Sequence, residues 1–297
     1  MRYMKIKNDV SKKILSNIQK RNNKVYTNEI DIAIATDTNF IRQTQILISS
    51  FENILSNVNL HILNISLSEE DVNRIKKIAP VNVKINNIKI SKDDLNNLKI
   101  NKKWPIEAWA RVLIPKIFCN KILLYLDVDC IVVDDISELF INDNFVICGV
   151  ESPYYLRQEN SKINKGVNSG VLLLNCNYLT NENFTKKILD YGKCNMNSLT
   201  MPDQDSINFI SQNYMFFLNP EYNVMNFMLG LNYFRIKYKL NKRYYTKREI
   251  LNAIENPKII HFNGGPLSRP WLQTGKEHPY KVIYNYYNKK VMDLENE

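Results

Sequence analysis

The 297-residue chain contains few of the residues that break or cross-link a fold, with 8 glycines, 10 prolines and 5 cysteines. The odd number of cysteines, none in a Cys-x-x-Cys pair, argues against a disulfide framework and a zinc ribbon. No apolar run reaches the roughly 18 residues of a membrane span. The longest, such as Ile122–Leu126 and Ile131–Val133, are interrupted by aspartate. The sequence therefore predicts a globular protein with reduced cysteines and no membrane-spanning helix.

Positive charge is in excess, because 40 Lys and Arg against 30 Asp and Glu give a formal net charge of +10. Such a balance suits nucleic acid, an anionic membrane surface or an acidic substrate. The lysines are scattered and no nucleic-acid-binding module is recognisable, so we expect a solvated basic surface and no nucleic-acid partner. The amino terminus lacks the apolar centre of a secretory signal, which favours a cytoplasmic protein. Peripheral contact of the basic tail Tyr280–Lys290 with an anionic inner membrane face stays open.

Apolar periodicity predicts alternating strands and helices. The predicted strands are Glu29–Ala35, Leu60–Ile65, Val81–Ile90, Ile122–Leu126, Cys130–Val133, Phe145–Val150, Val171–Leu174, Met215–Leu218 and Lys258–His261. The predicted helices are Phe40–Asn57, Ser68–Ile78 with a capping box, Ile106–Phe118 opened by Pro105, Tyr178–Tyr191, Asp203–Ser211, Thr246–Ile254 and Tyr280–Tyr287. This order predicts an α/β domain whose mostly parallel sheet is covered by helices. We expect one domain over residues 29–276, a helical extension over 1–28 and a carboxyl-terminal helix and tail over 277–297.

Two aspartates, Asp127 and Asp129, directly follow the continuously apolar strand Ile122–Leu126. The carboxyl end of a central strand is where open α/β sheets bind ligands. Carboxylate oxygens suit hard cations such as Mg²⁺ and Mn²⁺. An Asp-x-Asp pattern is weak evidence by itself, with solvated or capping carboxylates as the alternative. The buried strand before it favours a metal site.

Other polar residues at element ends could join that site. His261 follows an apolar run and precedes the pair Gly264 and Gly265, which permits close approach of the backbone to a ligand. Arg269 offers a forked donor to phosphate. A structural histidine is the alternative.

Three further segments have both a functional and a structural interpretation. Asp203, Gln204 and Asp205 open a predicted helix, where capping explains the acidic residues equally well. Residues 168–170 form either a turn or a set of donors to a sugar. The long polar segment Glu151–Lys165 is predicted to be a functional lid or mobile loop.

Seven short motifs occur in order along residues 29–275. They are IAIATDTNF near residue 35, WAR at 109–111, YLDVDCIVV at 125–133, VNSGVLLLN at 167–175, PDQDSIN at 202–208, YN at 222–223 and HFNGGPLSRPW at 261–271. Together they resemble the retaining glycosyltransferases of family eight, the group that contains glycogenin and the bacterial lipopolysaccharide galactosyl- and glucosyltransferases. The resemblance implies a GT-A fold, in which a Rossmann-like nucleotide-binding half joins an acceptor-binding half with its own elaborations around one sheet.

The same resemblance implies roles for individual residues. The uracil and ribose of UDP-glucose or UDP-galactose would be held by Ala35, Thr36, Asp37 and Asn39. The metal ligands to Mn²⁺ or Mg²⁺ would be Asp127, Asp129 and His261, with Val128 between the two aspartates at the diphosphate. The donor hexose would be surrounded by Asn168, Ser169, Asp203 and Gln204. Catalytic roles would fall to Gln204, nearest the anomeric face, Asp203 and Arg111, which approaches the sugar or diphosphate. The phosphates would be contacted by Gly264 and by Arg269, which stands where the family has lysine.

The implied reaction is metal-dependent transfer of a hexose from a UDP-sugar to a hydroxyl of a saccharide, glycolipid or protein acceptor, with retention of configuration. The acceptor site would be shaped by Glu151–Lys165 and by Asn226–Lys247. A sugar-contacting acid is expected after Phe145–Val150, with Glu151 and Ser152 both eligible. One alternative is a haloacid-dehalogenase-like phosphatase, against which Cys130 and Ile131 argue. The other is a non-catalytic relative that binds carbohydrate or nucleotide.

Overall fold

The computed structural model describes residues 8–20, 26, 28–91, 93–95, 98, 106–156, 163–229, 244–264, 269–272 and 277–297. Several sequence-based expectations lie outside these residues: Pro105 at a helix start, Gly265 beside a ligand, residues 157–162 of the predicted lid and residues 230–243 of the predicted acceptor segment.

The larger sheet contains β1 (Glu29–Ala35), β2 (Asn57–Asn64), β3 (Val83–Lys89), β4 (Ile122–Leu126), β6 (Ile147–Glu151), β7 (Val167–Asn175) and β8 (Met215–Phe217). Among the described residues its order is β3-β2-β1-β4-β7-β6-β8. Only β7 runs antiparallel to its neighbours within this described sheet. Alternate residues of β1 enter separate cores on the two faces, with Ile32 and Ile34 on one side and Ala33 and Ala35 on the other. The predicted mostly parallel α/β sheet is confirmed.

A smaller sheet joins distant parts of the chain. Its strands are β5 (Cys130–Val132), β9 (Val224–Met225) and β10 (Ile259–His261), in the order β5-β10-β9. β10 runs antiparallel to β5, and His261 is paired with Cys130. The Phe262 N–H also donates to the Asp129 carbonyl at 2.8 Å. This pairing carries His261 to the turn that holds the two aspartates.

Helices cover both faces of the larger sheet. They are α1 (Asn8–Gln19), α2 (Ile41–Ser50), α3 (Glu69–Lys77), α4 (Glu107–Ala110), α5 (Ile114–Ile117), α6 (Pro153–Leu156), α7 (Cys176–Asn181), α8 (Phe184–Asn195), α9 (Pro202–Ser211), α10 (Asn226–Leu229), α11 (Lys247–Glu255) and α12 (Lys281–Asn296). The predicted capping box at Ser68 and Asp71 is present. Across the described part of the chain, every helix is too short or too polar to span a bilayer.

Three predicted helix boundaries were wrong for local reasons. The helix expected over Phe40–Asn57 ends at Ser50, because one 3₁₀ turn follows and β2 already begins at Asn57. The helix expected over Ile106–Phe118 is divided into α4, a 3₁₀ turn and α5, since Pro115 has no N–H to continue the ladder.

The helix expected over Tyr178–Tyr191 is also divided, into α7 and α8. Asn183 lies between them with φ 52°, a left-handed conformation that asparagine tolerates better than most residues. Two further expectations differed at their ends. Residues 168–170 belong to β7 and do not form a turn. The last helix continues beyond Tyr287 to Asn296.

Candidate active site

Asp127 lies just beyond β4, and one of its carboxylate oxygens is held by the protein. Its Oδ1 accepts from the Tyr125 hydroxyl at 2.9 Å and from Arg111 Nη2 at 2.9 Å. Because both donors use Oδ1, the other oxygen faces His261, with Oδ2 3.8 Å from His261 Nε2. One oxygen therefore fixes the side chain, and the other lies beside His261.

Asp129 lies across a tight turn, in which the Cys130 N–H donates to the Asp127 carbonyl at 3.1 Å. Its Oδ1 is 3.0 Å from His261 Nε2 and its Oδ2 is 3.7 Å from Arg269 Nη2. Burial alone would raise the pKa of Asp129, but His261 and Arg269 outweigh burial and lower that pKa. The structure thus brings together the three predicted ligands, with Asp129 ionised.

Gly170 on β7 closes the site from behind. A Cβ at this position would lie 2.3 Å from His261 Cε1 and 2.5 Å from Asp127 Oδ2. A side chain there would therefore displace two of the predicted ligands. The missing Cβ lets β7 pass directly behind the pair.

The donor set fits a hard divalent cation. Two carboxylates and one imidazole suit Mn²⁺ or Mg²⁺. Among the described residues, the Cys130 thiol also lies near Asp129 and His261. Burial raises the pKa of that thiol well above its ordinary value, so Cys130 stays protonated and packs as an apolar side chain.

Arg111 is a buried cation beneath the cleft, with a side chain 6% exposed. Its Nη1 donates to the Ser169 carbonyl at 2.6 Å, and its guanidinium lies 4.5 Å from the centre of the Tyr125 ring. Burial would lower the pKa of Arg111, but Asp127 and Asp203 raise it, so the charge is permanent. Asp203 Oδ2 is 3.5 Å from Arg111 Nε, and burial raises the pKa of the Asp203 carboxyl.

The acidic start of α9 serves two purposes. Asp205 Oδ2 accepts from the backbone N–H groups of Thr200 and Met201 at 3.0 and 2.9 Å, so Asp205 takes the local capping role. Asp203 faces Arg111. The capping and functional interpretations of this segment therefore apply to different residues.

Both the oxygen and the nitrogen of the Gln204 side-chain amide are hydrogen-bonded. Its Oε1 accepts from the Ser169 N–H at 3.0 Å and from Asn168 Nδ2 at 3.1 Å, and its Nε2 donates to the Tyr155 hydroxyl at 3.1 Å. The side chain is thus oriented by β7 and α6, with its oxygen turned to the strand backbone.

An open cleft of about 350 Å³ adjoins this group. Eight predicted residues line it: Ala35, Thr36, Asp37, Arg111, Asp127, Val128, Asp129 and Arg269. The Thr36 hydroxyl is already bonded to Thr44 Oγ1 at 2.8 Å, and Asp37 Oδ1 accepts from the Asn39 N–H at 2.7 Å. Asn39 therefore acts in a local turn, and Gly264 borders open space without belonging to the cleft lining.

Several residues at the site were missed by sequence reasoning. Phe40 and Glu107 line the cleft, Tyr125 holds Asp127, and Asn223 bonds to His261 Nδ1 at 3.0 Å. Tyr125 and Asn223 lie within the quoted motifs, which is the signal that could have identified them. No pattern in the sequence marks Glu107.

Of the two residues considered for the sugar-contacting acid, Glu151 is a buried carboxyl at the end of β6. Burial raises its pKa to about 7. Its backbone N–H donates to the Tyr245 hydroxyl at 3.0 Å.

Comparison with known proteins gives consistent matches. A family described as Glycosyl transferase family 8 matches residues 31–275. General stress protein A of Bacillus subtilis is 27% identical over 191 residues, which are 61% of this chain and 64% of that protein. Glycosyltransferase GlyE of Streptococcus pneumoniae is 25% identical over 260 residues, 86% of this chain and 60% of that protein. The chain thus spans less than two thirds of these relatives.

Solved structures share the fold. The galactosyltransferase LgtC, in complex with donor and acceptor sugar analogues, matches with a TM-score of 0.70 at 19% identity, over 89% of this chain and 96% of that one. The GlyE structure matches with a TM-score of 0.67 at 20% identity, over 91% of this chain and 63% of that one. At this identity the likeness concerns the fold alone, and it agrees with the expected GT-A architecture.

Proposed function

Because the chain belongs to glycosyltransferase family 8, we propose that it transfers glucose or galactose from a UDP-sugar to a hydroxyl of a saccharide, glycolipid or protein acceptor. The observation that carries the proposal is the meeting of Asp127 and Asp129, which line the cleft, with the buried His261. Retention of anomeric configuration is part of the proposal, as it is for the family.

The cation would be held by Asp127 Oδ2, Asp129 and His261 Nε2. When bound, Mn²⁺ or Mg²⁺ supplies positive charge that stabilises the departing diphosphate. Arg111 supports this arrangement, because its permanent charge fixes Asp127 while its contact with Ser169 holds β7 beside the cleft. Arg269, at the cleft and 3.7 Å from Asp129, is suited to donate to phosphate in place of the family's lysine.

The donor would lie along the cleft with its uracil and ribose at Ala35, Thr36, Asp37 and Asn39. Its phosphates would reach the cation, Val128 and Gly264. The hexose would then meet Asn168, Ser169, Asp203 and Gln204, which are joined to one another and to Arg111 by the contacts above.

The location of the reaction is also part of the proposal. We propose that it takes place in the cytoplasm, where a glycolipid acceptor would bring the basic segment Tyr280–Lys290 to an anionic membrane face. Vesicle sedimentation with and without phosphatidylserine tests the membrane contact, and equal binding to both vesicles would contradict it.

Calorimetric titration with UDP tests the proposed site. We expect UDP to bind at least about 10-fold more tightly with Mn²⁺ than without, because the cation neutralises the diphosphate charge. Equal affinities would contradict the metal site. UDP-glucose and UDP-galactose are then incubated with enzyme and Mn²⁺. Hydrolysis of either supports a transferase, whereas tight binding without turnover supports a non-catalytic relative.

A further inference from the structure

A line of hydrogen-bonded side chains connects His261 to α9. His261 Nδ1 is 3.0 Å from Asn223 Oδ1, and Asn223 Nδ2 is 3.0 Å from Asn168 Oδ1. Asn168 Nδ2 is in turn 3.1 Å from Gln204 Oε1. Asn223 is fully buried and belongs neither to the proposed metal ligands nor to the proposed hexose contacts. It is the link between the two groups.

Two backbone N–H groups show how the side-chain amides in this line are oriented. The Ser169 N–H donates to Gln204 Oε1 at 3.0 Å, and the Gly170 N–H donates to Asn168 Oδ1 at 3.2 Å. A backbone N–H can only donate, so each contact identifies the amide oxygen of its partner. Asn168 therefore turns its Nδ2 towards Gln204 and its Oδ1 towards Asn223.

The protonation of His261 follows from that orientation. Asn223 must donate its Nδ2–H to Asn168, so its own Oδ1 faces the imidazole. An amide oxygen only accepts, and His261 must therefore carry a proton on Nδ1. Nδ1 is thus bonded to Asn223, and Nε2, which lies 3.0 Å from Asp129 Oδ1, is the nitrogen left for a cation.

In the other two histidines the nitrogen that must donate is Nε2. His61 Nε2 is 2.7 Å from Asp31 Oδ1, an acceptor, so the ring proton is on Nε2. The Tyr280 N–H donates to His278 Nδ1 at 3.1 Å, which again leaves the proton on Nε2, directed at Asn226 Oδ1. His261 thus differs from both histidines outside the site.

We propose that Asn223 is a positioning residue that accepts the Nδ1–H of His261, orients the ring so that Nε2 faces the two aspartates, and couples His261 to Asn168 and Gln204. The inference rests on the proposed function, because it assumes that His261 Nε2 meets a divalent cation. An imidazole whose other nitrogen is bonded to a fixed partner keeps its orientation when a cation binds at Nε2. The coupling would also keep the cation and the hexose contacts in a fixed relative position.

The Nδ1 proton can be observed directly, since the chain has only 3 histidines. Two-bond ¹H–¹⁵N spectra of the metal-free protein, assigned with single His→Gln variants, should show a proton on Nδ1 of His261 that exchanges slowly with water. Asn223→Leu, which keeps the branched shape and removes both hydrogen bonds, should make that proton exchange too fast to observe. A wild-type ring without a proton on Nδ1 overturns the proposal, and so does an unchanged Nδ1–H signal in Asn223→Leu.

Two substitutions at Asn223 test its contact with His261 and its contact with Asn168 separately. Asn223→Leu should lower Mn²⁺ affinity by about 10- to 100-fold, as loss of a histidine's supporting partner does at other metal sites. Asn223→Asp still accepts from His261 but cannot donate to Asn168. It should keep Mn²⁺ affinity within about threefold while UDP-hexose hydrolysis falls about 10-fold or more. Mn²⁺ affinity is read from the paramagnetic resonance of the free ion, without donor sugar.

Asn82→Leu is the matched control. Asn82 is equally inaccessible, 3% exposed, and donates to three backbone carbonyls at the amino-terminal edge of the sheet. Its substitution should lower stability and leave Mn²⁺ affinity unchanged. Wild-type affinity in Asn223→Leu, or an equal loss in Asn82→Leu, would overturn the proposal. Absence of hydrolysis in the wild-type protein would count against the proposed function alone, because the spectra and Mn²⁺ binding require no donor.

Discussion

A histidine lies beside an aspartate at each end of the strands of the larger sheet, towards their amino-terminal ends and at their carboxyl-terminal ends. The two pairs differ in their surroundings. Towards the amino-terminal edge, Asp31 Oδ1 lies 2.7 Å from His61 Nε2 and 2.7 Å from Lys121 Nζ. The Phe118 ring packs against His61 with 4.5 Å between ring centres. This cluster has one carboxylate, one permanent cation in Lys121 and an apolar cover, so its negative charge is already neutralised.

The carboxyl-terminal edge has the opposite balance. Three carboxylates, Asp127, Asp129 and Asp203, meet two permanent cations, Arg111 and Arg269. Two of these carboxylates also border an open cleft. The comparison teaches that a His–Asp pair indicates a ligand site where negative charge is in excess and space is open, and a structural contact where both conditions fail.

The largest expected effect is the loss of activity in Asp129→Asn, at the carboxyl-terminal edge. Loss of the charge beside His261 should lower UDP-hexose hydrolysis and transfer by about 1,000-fold, because the diphosphate is no longer stabilised as it departs. Asn has nearly the same shape, so circular dichroism and the thermal midpoint should stay close to wild type. Asp31→Asn is the control, with turnover expected within about twofold of wild type. Retained turnover in Asp129→Asn would contradict the catalytic interpretation.

Gly170→Ala should lower the Mn²⁺ affinity of the proposed site by a steric clash. The new Cβ overlaps His261 and Asp127, and displacing them should cost about 1–3 kcal/mol, or about 10- to 100-fold in Mn²⁺ affinity. Gly192→Ala has an equal overlap away from the cleft, 2.3 Å from Trp109 Cη2. It should lower the thermal midpoint without changing Mn²⁺ affinity. Equal Mn²⁺ affinities of the two variants would show that Gly170 has no special place behind the ligands.

Asp31→Asn, at the amino-terminal edge, should lower the free energy of unfolding. Burial alone would raise the pKa of Asp31, but His61 and Lys121 outweigh it and lower that pKa. The stabilisation is therefore present above the ordinary value of 3.8 and is lost as pH falls through the lower folded-state pKa. The variant should lose about 1 kcal/mol at pH 7 and less at pH 3 in urea unfolding. An equal loss at both pH values would refute the assigned charge.

Glu151→Gln should give the smallest effect, with the opposite sign. Burial raises the pKa of Glu151 from its ordinary value of 4.5 to about 7. Stability from this protonated carboxyl is complete below pH 4.5 and is lost as pH rises through about 7. The variant should match wild type at pH 5 and unfold at a higher temperature at pH 8. A midpoint difference that does not change with pH would contradict a neutral buried carboxyl.

The sequence predicted those parts of the fold that local patterns encode. Continuous apolar character was enough for β1 and β4, and the Asp-x-Asp pair at the end of β4 was enough for a candidate metal site. The start of β7 was missed because Asn168 and Ser169 are polar and look like turn residues. They are tolerated in a strand because Gln204 and Asn223 satisfy their polar groups.

Couplings between distant segments could not be predicted. Asn223 precedes a strand of two residues, Val224–Met225, which is too short to show any periodicity. Its partner His261 reaches it only through the pairing of β9 with β10. Likewise, Tyr125 looked like an ordinary core residue of β4, and only the three-dimensional arrangement shows its hydroxyl on Asp127.

The pairing of β10 with β5 also sets the order in which the proposed site can assemble during synthesis. Both aspartates are translated well before the imidazole, which follows only after all seven strands of the larger sheet in the described chain have been made. On the proposed function, a nascent polypeptide would carry the two carboxylates without their histidine partner. Transfer would begin only once the last short strand has been added beside the turn.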